Sequence, residues 1–171
     1  MQNSIQSLQS LIAKEITKEN EKEDHTPYLG ALKEGEELSL VLGFDFGTQN
    51  LGIAVGNCLT QTAQPLTILK VTHNQPRWEE VEKLLKEWQP NAFIVGMPYT
   101  KDGTVTEHLK IIQKFINRLH GRFGLPVFIV NEAYSSQESE RYLKPSQRHK
   151  KGQLDAISAA IIVERWLQQE I

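Results

Sequence analysis

Two strongly apolar segments, separated by only a few residues, constrain the fold of this chain more than any other feature. The first, LSLVLGFDFG, occupies residues 38–47, and the second, LGIAVGN, occupies residues 51–57. Both have the length and composition of buried strands, and Thr48, Gln49 and Asn50 between them are typical turn residues. Two strands joined this closely pair in the antiparallel sense, so the sequence predicts a β-hairpin.

The segments that follow alternate between strands and helices. Further strands are predicted at residues 65–71, 92–96 and 127–131. The spacing of apolar residues, together with Pro and Gly breakers, predicts helices between Pro76 and Pro90, from Val105 to Gly121, over 135–144 and over 153–169. This order predicts an α/β fold with a five-stranded mixed sheet, an antiparallel three-strand meander plus two parallel strands, and helices on both faces.

The first 38 residues differ in composition from the rest of the chain. They are rich in Gln, Ser, Glu and Lys, and we expect a polar N-terminal extension over 1–38, partly disordered or with one short helix. Residues 39–171 then form the compact domain. The N-terminus lacks the pattern of a signal peptide, so a cytoplasmic protein is expected.

Composition excludes several classes of function. The net charge of −2 excludes a wholly basic nucleic-acid binder, although it leaves room for a local basic face. A single cysteine, Cys58, excludes a disulfide framework within the chain and a multi-thiolate zinc site. No apolar run reaches the length of a membrane span, so no membrane partner is expected.

Charge is distributed unevenly along the chain. Residues 1–40 hold four Lys/Arg and eight Asp/Glu, whereas residues 101–151 hold ten basic and five acidic residues. The segment 141–151, RYLKPSQRHKK, contains five basic residues and no acid. We expect it to contact a phosphate-bearing partner, the alternative being a solvated loop. Its candidate nucleic-acid-binding residues are Arg141, Lys144, Arg148, Lys150 and Lys151.

Three acids lie at the ends of predicted elements. Asp45 ends an apolar strand, Glu132 directly follows the strand VFIV, and Asp155 lies in the first turn of the last helix. Strand ends meet at one edge of a sheet, so these carboxylates are expected to converge there. Carboxylates held close together repel, and a hard divalent cation such as Mg²⁺ resolves that conflict. Each acid alone is also compatible with an ordinary strand end or helix terminus.

Four segments in the same order resemble the signature segments of the YqgF family, bacterial Holliday-junction resolvases also described as pre-16S rRNA nucleases. They are GFDFGTQNLGIAVGN, FIVGMPYTKDGT, IVNEAYSSQES and KGQLDAISAAIIVERWL, and they are distributed along residues 40–169. Two positions depart from the family pattern. Asn131 stands where the family has Asp, and Ala133 stands where it has Arg.

The resemblance implies an RNase H-like fold and a phosphodiesterase that depends on Mg²⁺ or Mn²⁺. It carries the acidic triad, as catalytic residues and metal ligands, onto Asp45, Glu132 and Asp155. It also implies a set of loop residues at the substrate edge, namely Gly47, Gly96, Pro98, Asp102 and Gly103.

The function that the resemblance implies is endonucleolytic cleavage of structured nucleic acid, with RNA favoured over DNA. The expected substrate is the 5′ end of precursor 16S rRNA, the expected partner is a ribosome precursor, and the expected state is a monomer or homodimer. Three alternatives stay open. They are a DNA-junction resolvase, a non-catalytic RNA- or ribosome-binding module with a degraded site, and a kinase. The kinase alternative rests on the D-x-G-T phosphate loop of sugar kinases and actin-like ATPases, but the chain has no second copy of that loop.

Overall fold

The computed structural model describes residues 26–132 and 151–169, with the side chains of 151–155 left outside the description. The strands are β1 (Leu40–Phe46), β2 (Asn50–Asn57), β3 (Thr62–Thr72), β4 (Gln75–Pro76), β5 (Ala92–Met97) and β6 (Val127–Asn131). The helices are α1 (Trp78–Trp88), α2 (Glu107–Phe123) and α3 (Lys151–Gln169).

The strands form one mixed sheet in the order β4-β3-β2-β1-β5-β6. The predicted hairpin of β1 and β2 is confirmed, with β3 antiparallel beside it and β5 and β6 parallel to β1. The α/β class and the mixed sheet are therefore confirmed, but the predicted count of five strands is wrong. The sixth strand, β4, has two residues and folds back on β3 through the turn at His73 and Asn74, both with positive φ. Its sequence lacks the Gly that usually marks such a turn.

Side chains alternate along β1 between two hydrophobic cores. Leu42, Phe44 and Phe46 pack with α1 and α2 on one face of the sheet, while Val41 packs with α3 on the other. The predicted placement of helices on both faces is confirmed for the elements described. Asp45, between Phe44 and Phe46, consequently lies on the α3 face.

Helix α2 is displaced from its predicted bounds at both ends. Its N-cap is Thr106, whose Oγ1 accepts a hydrogen bond from the Leu109 amide at 3.1 Å. Val105 therefore precedes the helix and is exposed. Gly121 lies inside the helix, and the chain leaves it at Gly124, where φ is +71°. The helix was predicted to end at Gly121, but the left-handed C-cap forms at Gly124.

Residues 28–39 lie against the sheet. Leu29 forms an isolated antiparallel bridge with Val127 on β6. Nearer to β1, the Asn91 side-chain oxygen accepts hydrogen bonds from the Ser39 amide at 2.8 Å and from the Ser39 hydroxyl at 2.6 Å. The predicted short N-terminal helix and the predicted helix over 135–144 lie outside the described residues. Among the helices in the described part of the chain, none is long and apolar enough to cross a membrane.

Candidate active site

Asp45 and Glu132 lie on the same face of the sheet. Asp45 faces α3, as the alternation along β1 requires. On β6, Phe128 and Val130 belong to the α3 core, and Glu132 continues their alternation two residues further on. Both acids thus lie at the carboxyl end of parallel strands, and β5 runs between them.

Gly96 on β5 leaves the space through which Glu132 reaches Asp45. The register pairs Phe44 with Val95, so Gly96 lies beside Asp45 in the next strand. A Cβ atom built on Gly96 would lie 2.7 Å from Glu132 Oε2 and 2.5 Å from Ile162 Cδ1. The Glu132 carboxyl therefore occupies the position over β5 that any larger residue would fill.

The backbone of Glu132 is held by the end of β5. Its amide donates a hydrogen bond to the Met97 carbonyl at 3.1 Å, which extends the ladder of β5 and β6 by one residue beyond the strand. The position of this acid is consequently set by main-chain hydrogen bonding as well as by its side-chain contacts.

The two carboxyls interact strongly. Burial, the nearby charge of Asp45 and a hydrogen bond with Asp45 raise the pKa of Glu132 to about 9. Protonated Glu132 donates that hydrogen bond to the Asp45 carboxylate, because two ionised carboxyls this close would repel. In the absence of a cation, the pair therefore holds one proton at neutral pH.

Arg165 on α3 partly offsets this shift. Its positive charge lowers the pKa of Glu132, and its Nη1 donates a hydrogen bond to the Asn131 carbonyl at 3.3 Å. Arg165 is not among the residues predicted above. The signal that would have found it is helical spacing, since it lies three residues after Ile162, which packs over Gly96.

The predicted substrate-edge loops lie at the same end of the sheet. Gly47 closes the turn of β1 and β2, its amide donating to the Asn50 carbonyl at 2.9 Å. Pro98 follows β5 directly and is half-buried. The structure therefore places Gly47, Gly96 and Pro98 beside the two acids, with Gly96 in contact with Glu132.

Asp102 and Gly103 belong to a turn stabilised by its own hydrogen bonds. Asp102 Oδ1 accepts from the Thr104 amide at 3.0 Å and from the Thr100 hydroxyl at 2.7 Å. Hydrogen bonds from Thr104 and Thr100 lower the pKa of Asp102 to about 2. Gly103 has a φ of +75°, which suits glycine at the end of the turn. The hydrogen bonds of the turn therefore explain Asp102, and its positive φ explains Gly103.

The remaining predicted residues fall outside the description. Asp155 lies within α3, but its side chain is among those not described, and the same holds for Lys151. Arg141, Lys144, Arg148 and Lys150 belong to residues 133–150, which are not described. Within the described residues, no group of three His, Cys, Asp or Glu side chains is arranged to hold a metal ion.

The two described acids nevertheless fit a hard divalent cation. They supply oxygen donors only, and their mutual repulsion is relieved at present by a proton. A cation between them would remove that repulsion in the same way. The donor chemistry thus suits Mg²⁺ or Mn²⁺ better than a metal that prefers sulfur or imidazole.

Comparison with known proteins defines the class. The chain is 42% identical over 133 residues to a protein of Aeromonas salmonicida named "Putative pre-16S rRNA nuclease", covering 76% of this chain and 95% of the relative. It is 45% identical over 132 residues to a protein of the same name from Photorhabdus laumondii, covering 75% and 95%. The chain is an α/β nuclease, a hydrolase of phosphodiester bonds.

The family follows from a second comparison. The model of the RuvX family, described as Holliday junction resolvase, matches residues 39–169, and the chain belongs to this family. Solved structures resemble it more weakly. Thermus thermophilus RuvC in complex with a Holliday junction gives a TM-score of 0.45 at 18% identity, over 75% of this chain and 93% of that one. The yeast mitochondrial Holliday junction resolvase gives 0.49 at 10% identity, over 78% and 79%.

Proposed function

We propose that this protein is a divalent-metal-dependent endonuclease that processes the 5′ end of precursor 16S rRNA in the cytoplasm. The observation that carries the proposal is the contact of the Glu132 and Asp45 carboxyls across Gly96. Relatives more than 40% identical are named for the same substrate. An antiparallel meander followed by two parallel strands also agrees with the RNase H-like fold that the sequence resemblance implies.

The proposed metal ligands are Asp45, Glu132 and Asp155, with Mg²⁺ or Mn²⁺ as the cofactor. Asp155 precedes Ala159 by one helical turn, and Ala159 is buried against the sheet. The inclusion of Asp155 rests on the resemblance of residues 151–167 to the closing helix of the family. When bound, such an ion supplies an activated water and stabilises the leaving oxygen of a phosphodiester.

The protein's own groups prepare the site for this chemistry. Gly96 admits the Glu132 carboxyl, and the Met97 carbonyl fixes its backbone. Arg165 adds a positive charge beside the acids, which favours the ionised form of Glu132 that a cation requires. This charge is provided from α3, whereas the family pattern has its Arg at the position of Ala133.

The proposed partner is structured RNA within a ribosome precursor, bound by the protein as a monomer or homodimer. The basic segment 141–151 lies in sequence between two of the proposed ligands, Glu132 and Asp155. Its five Lys/Arg are proposed to contact the RNA backbone and to offset repulsion from the acids.

A DNA Holliday junction is the second candidate substrate, because the matching family model is described as a resolvase. The chemistry of phosphodiester hydrolysis is the same for both substrates. Resolution of a junction additionally requires two symmetrically placed active sites, and hence a dimer.

Cleavage of two substrates by matched variants tests the proposal. A precursor 16S rRNA 5′ fragment and a four-way DNA junction are incubated with wild-type protein, D45N, E132Q and the exposed-surface control E79Q. Mg²⁺-dependent cleavage of the RNA by wild type and E79Q, lost in D45N and E132Q, is expected. Cleavage of the DNA junction but not of the RNA fragment would show that DNA is the substrate. Binding of RNA without cleavage of either substrate would contradict an enzymatic role.

A further inference from the structure

Lys70 lies on the same face of the sheet as the acid pair, at the same end. The register links Asp45 to Gly52 and Gly52 to Ile68, and Lys70 lies two residues beyond Ile68 on β3. Leu69 and Val71 belong to the core beneath α1 and α2, so Lys70 points to the opposite face. That face is the one occupied by Asp45.

The surface beside Asp45 is low on β2, because the residue paired with Asp45 there is Gly52. On the far side Gly52 pairs with Ile68, and Asn50, two residues earlier on β2, pairs with Lys70. Two strand spacings separate β1 from β3, which is about 9.6 Å. A ligand strand lying along this end of the sheet can therefore contact the acids and Lys70 together.

Arg77 lies opposite Lys70 across the short hairpin. Val71 pairs with Pro76, so the next residues outward, Lys70 and Arg77, occupy facing positions. Arg77 has extended backbone, with φ −73° and ψ 111°, and therefore continues the line of β4. Val71 and Pro76 are both buried, whereas Lys70 and Arg77 are both exposed. Arg77 borders a cavity with Lys70 and also lines a second cavity with residues of α1 and α2.

The positive charges of Lys70 and Arg77 face each other across the hairpin and therefore repel each other. Two cations at opposing positions of a hairpin destabilise it unless an anion lies near them. Glu80, in the first turn of α1, lines the same cavity and supplies one negative charge against the two positive charges of Lys70 and Arg77. The hairpin positions them firmly, because the turn at His73 and Asn74 is the tight two-residue kind with φ of +54° and +62°. They border a cavity of about 610 Å³. Its polar lining residues are Lys70, Thr72, His73, Gln75, Arg77 and Glu80.

We propose that Lys70 and Arg77 form a binding subsite for phosphodiester groups of the substrate strand, next to the phosphodiester that lies at Asp45 and Glu132. The subsite takes the backbone rather than the bases, since ammonium and guanidinium groups on an open surface pair with phosphate of any sequence. The inference rests on the proposed function in taking a nucleic acid as ligand. Its alternative is that Lys70 only protects the exposed edge of β3 from pairing with another chain.

Salt-dependent binding tests the subsite apart from catalysis. A fluorescent precursor 16S rRNA 5′ fragment is titrated in EDTA with wild type, K70Q/R77Q and the control K83Q/K114Q, which removes two exposed cations from α1 and α2. Loss of two phosphate contacts should reduce the log–log salt slope by about 1.4–1.8 and weaken binding by roughly 25- to 60-fold at 0.1 M salt. The control should match wild type, and K70Q alone should give about half the change in slope.

The outcomes separate the subsite from the proposed function. An unchanged slope in K70Q/R77Q, with RNA cleavage intact in wild type, overturns the subsite alone and favours edge protection. A reduced slope in a protein that cleaves nothing supports the subsite and overturns the nuclease proposal. If wild type does not bind the fragment at any salt concentration, both are overturned. A reduced slope accompanied by a higher KM and an unchanged kcat supports both.

Discussion

At the scale of single residues, the site depends on a missing side chain. Gly96 interrupts an otherwise apolar strand, and the space above it holds the Glu132 carboxyl. The resemblance to a family motif predicted that this glycine lies in a substrate-edge loop, whereas it is a buried residue within β5. Its contact with Glu132 depends on the register of β5 against β6, which residue spacing along one chain does not specify.

Replacing Gly96 by Ala should separate the two acids. The new Cβ would lie 2.7 Å from Glu132 Oε2 and 2.5 Å from Ile162 Cδ1, so Glu132 must move away from Asp45. We expect a loss of about 1–3 kcal/mol in the free energy of unfolding from overpacking, with loss of cleavage. Urea unfolding and a cleavage assay measure the two effects.

Gly121→Ala is the control for this substitution. Gly121 lies within α2, where an added Cβ meets nothing within 4 Å. This change should stabilise the protein by about 0.5–1 kcal/mol and leave cleavage unaltered. Normal cleavage by the Gly96→Ala protein would show that the close approach of Glu132 to Asp45 is not needed.

The raised pKa of Glu132 predicts how the stability of the metal-free protein depends on pH. The folded state holds the Glu132 proton up to about pH 9, whereas the unfolded chain releases it near pH 4.5. Between these values the folded state binds more protons, so this group makes the free energy of unfolding decrease as pH rises. Urea unfolding in EDTA across this range should show the decrease, and Glu132→Gln should flatten it. The same pH dependence of stability in wild type and in Glu132→Gln would contradict the assignment.

At the scale of elements, the close approach of α3 to the sheet determines the depth of the site. Gly43 on β1 and Gly56 on β2 lie beneath Val163, and a Cβ at either position would collide with it. Ala159, one turn earlier, is fully buried and brings its carbonyl to 3.3 Å from the position of a Gly43 Cβ. The helix therefore rests nearly on the backbone of the two strands, which brings Arg165 to the Asn131 carbonyl.

A double-mutant cycle at Gly43 and Val163 tests this packing. Gly43→Ala alone should destabilise by about 1–3 kcal/mol, because Val163 and the α3 backbone obstruct the new methyl group. Val163→Ala alone should destabilise through the cavity it leaves. Together they should be less destabilising than the sum by about 0.5–3 kcal/mol. Strict additivity in urea unfolding would mean that the two residues do not share this space.

Elements with strong local signals were predictable, and those decided by tertiary pairing were not. The β1–β2 hairpin and the strand at 127–131 follow directly from apolar runs and turn residues. The β4 strand is too short to carry a pattern and exists because it pairs with Val71 and Thr72. The bounds of α2 depended on Thr106 as N-cap and on which of two glycines adopts the left-handed conformation.

At the scale of the whole molecule, the acids and cations of the candidate site lie at one end of the sheet. Asp45 lies on the central strand β1, and Glu132 follows the edge strand β6 with its carboxyl reaching over Gly96 on β5. Arg165 lies near Glu132, and the hairpin bearing Lys70 and Arg77 is at the opposite edge. The sequence predicts the acids because they break apolar runs at strand ends. It does not predict the cations, since Arg165 and Lys70 reach this end only through the crossing of α3 and the sheet order.

The central claim is that Asp45 and Glu132 together bind a divalent cation, and Mn²⁺ titration calorimetry tests it most directly. At pH 7 the pair holds one proton, so metal binding should release about one proton, seen as a heat that varies with the ionisation enthalpy of the buffer. Wild type and the exposed-surface control E79Q should bind with this release, and D45N and E132Q should lose most of the affinity. Binding without proton release, or undiminished binding in D45N and E132Q, would contradict the account.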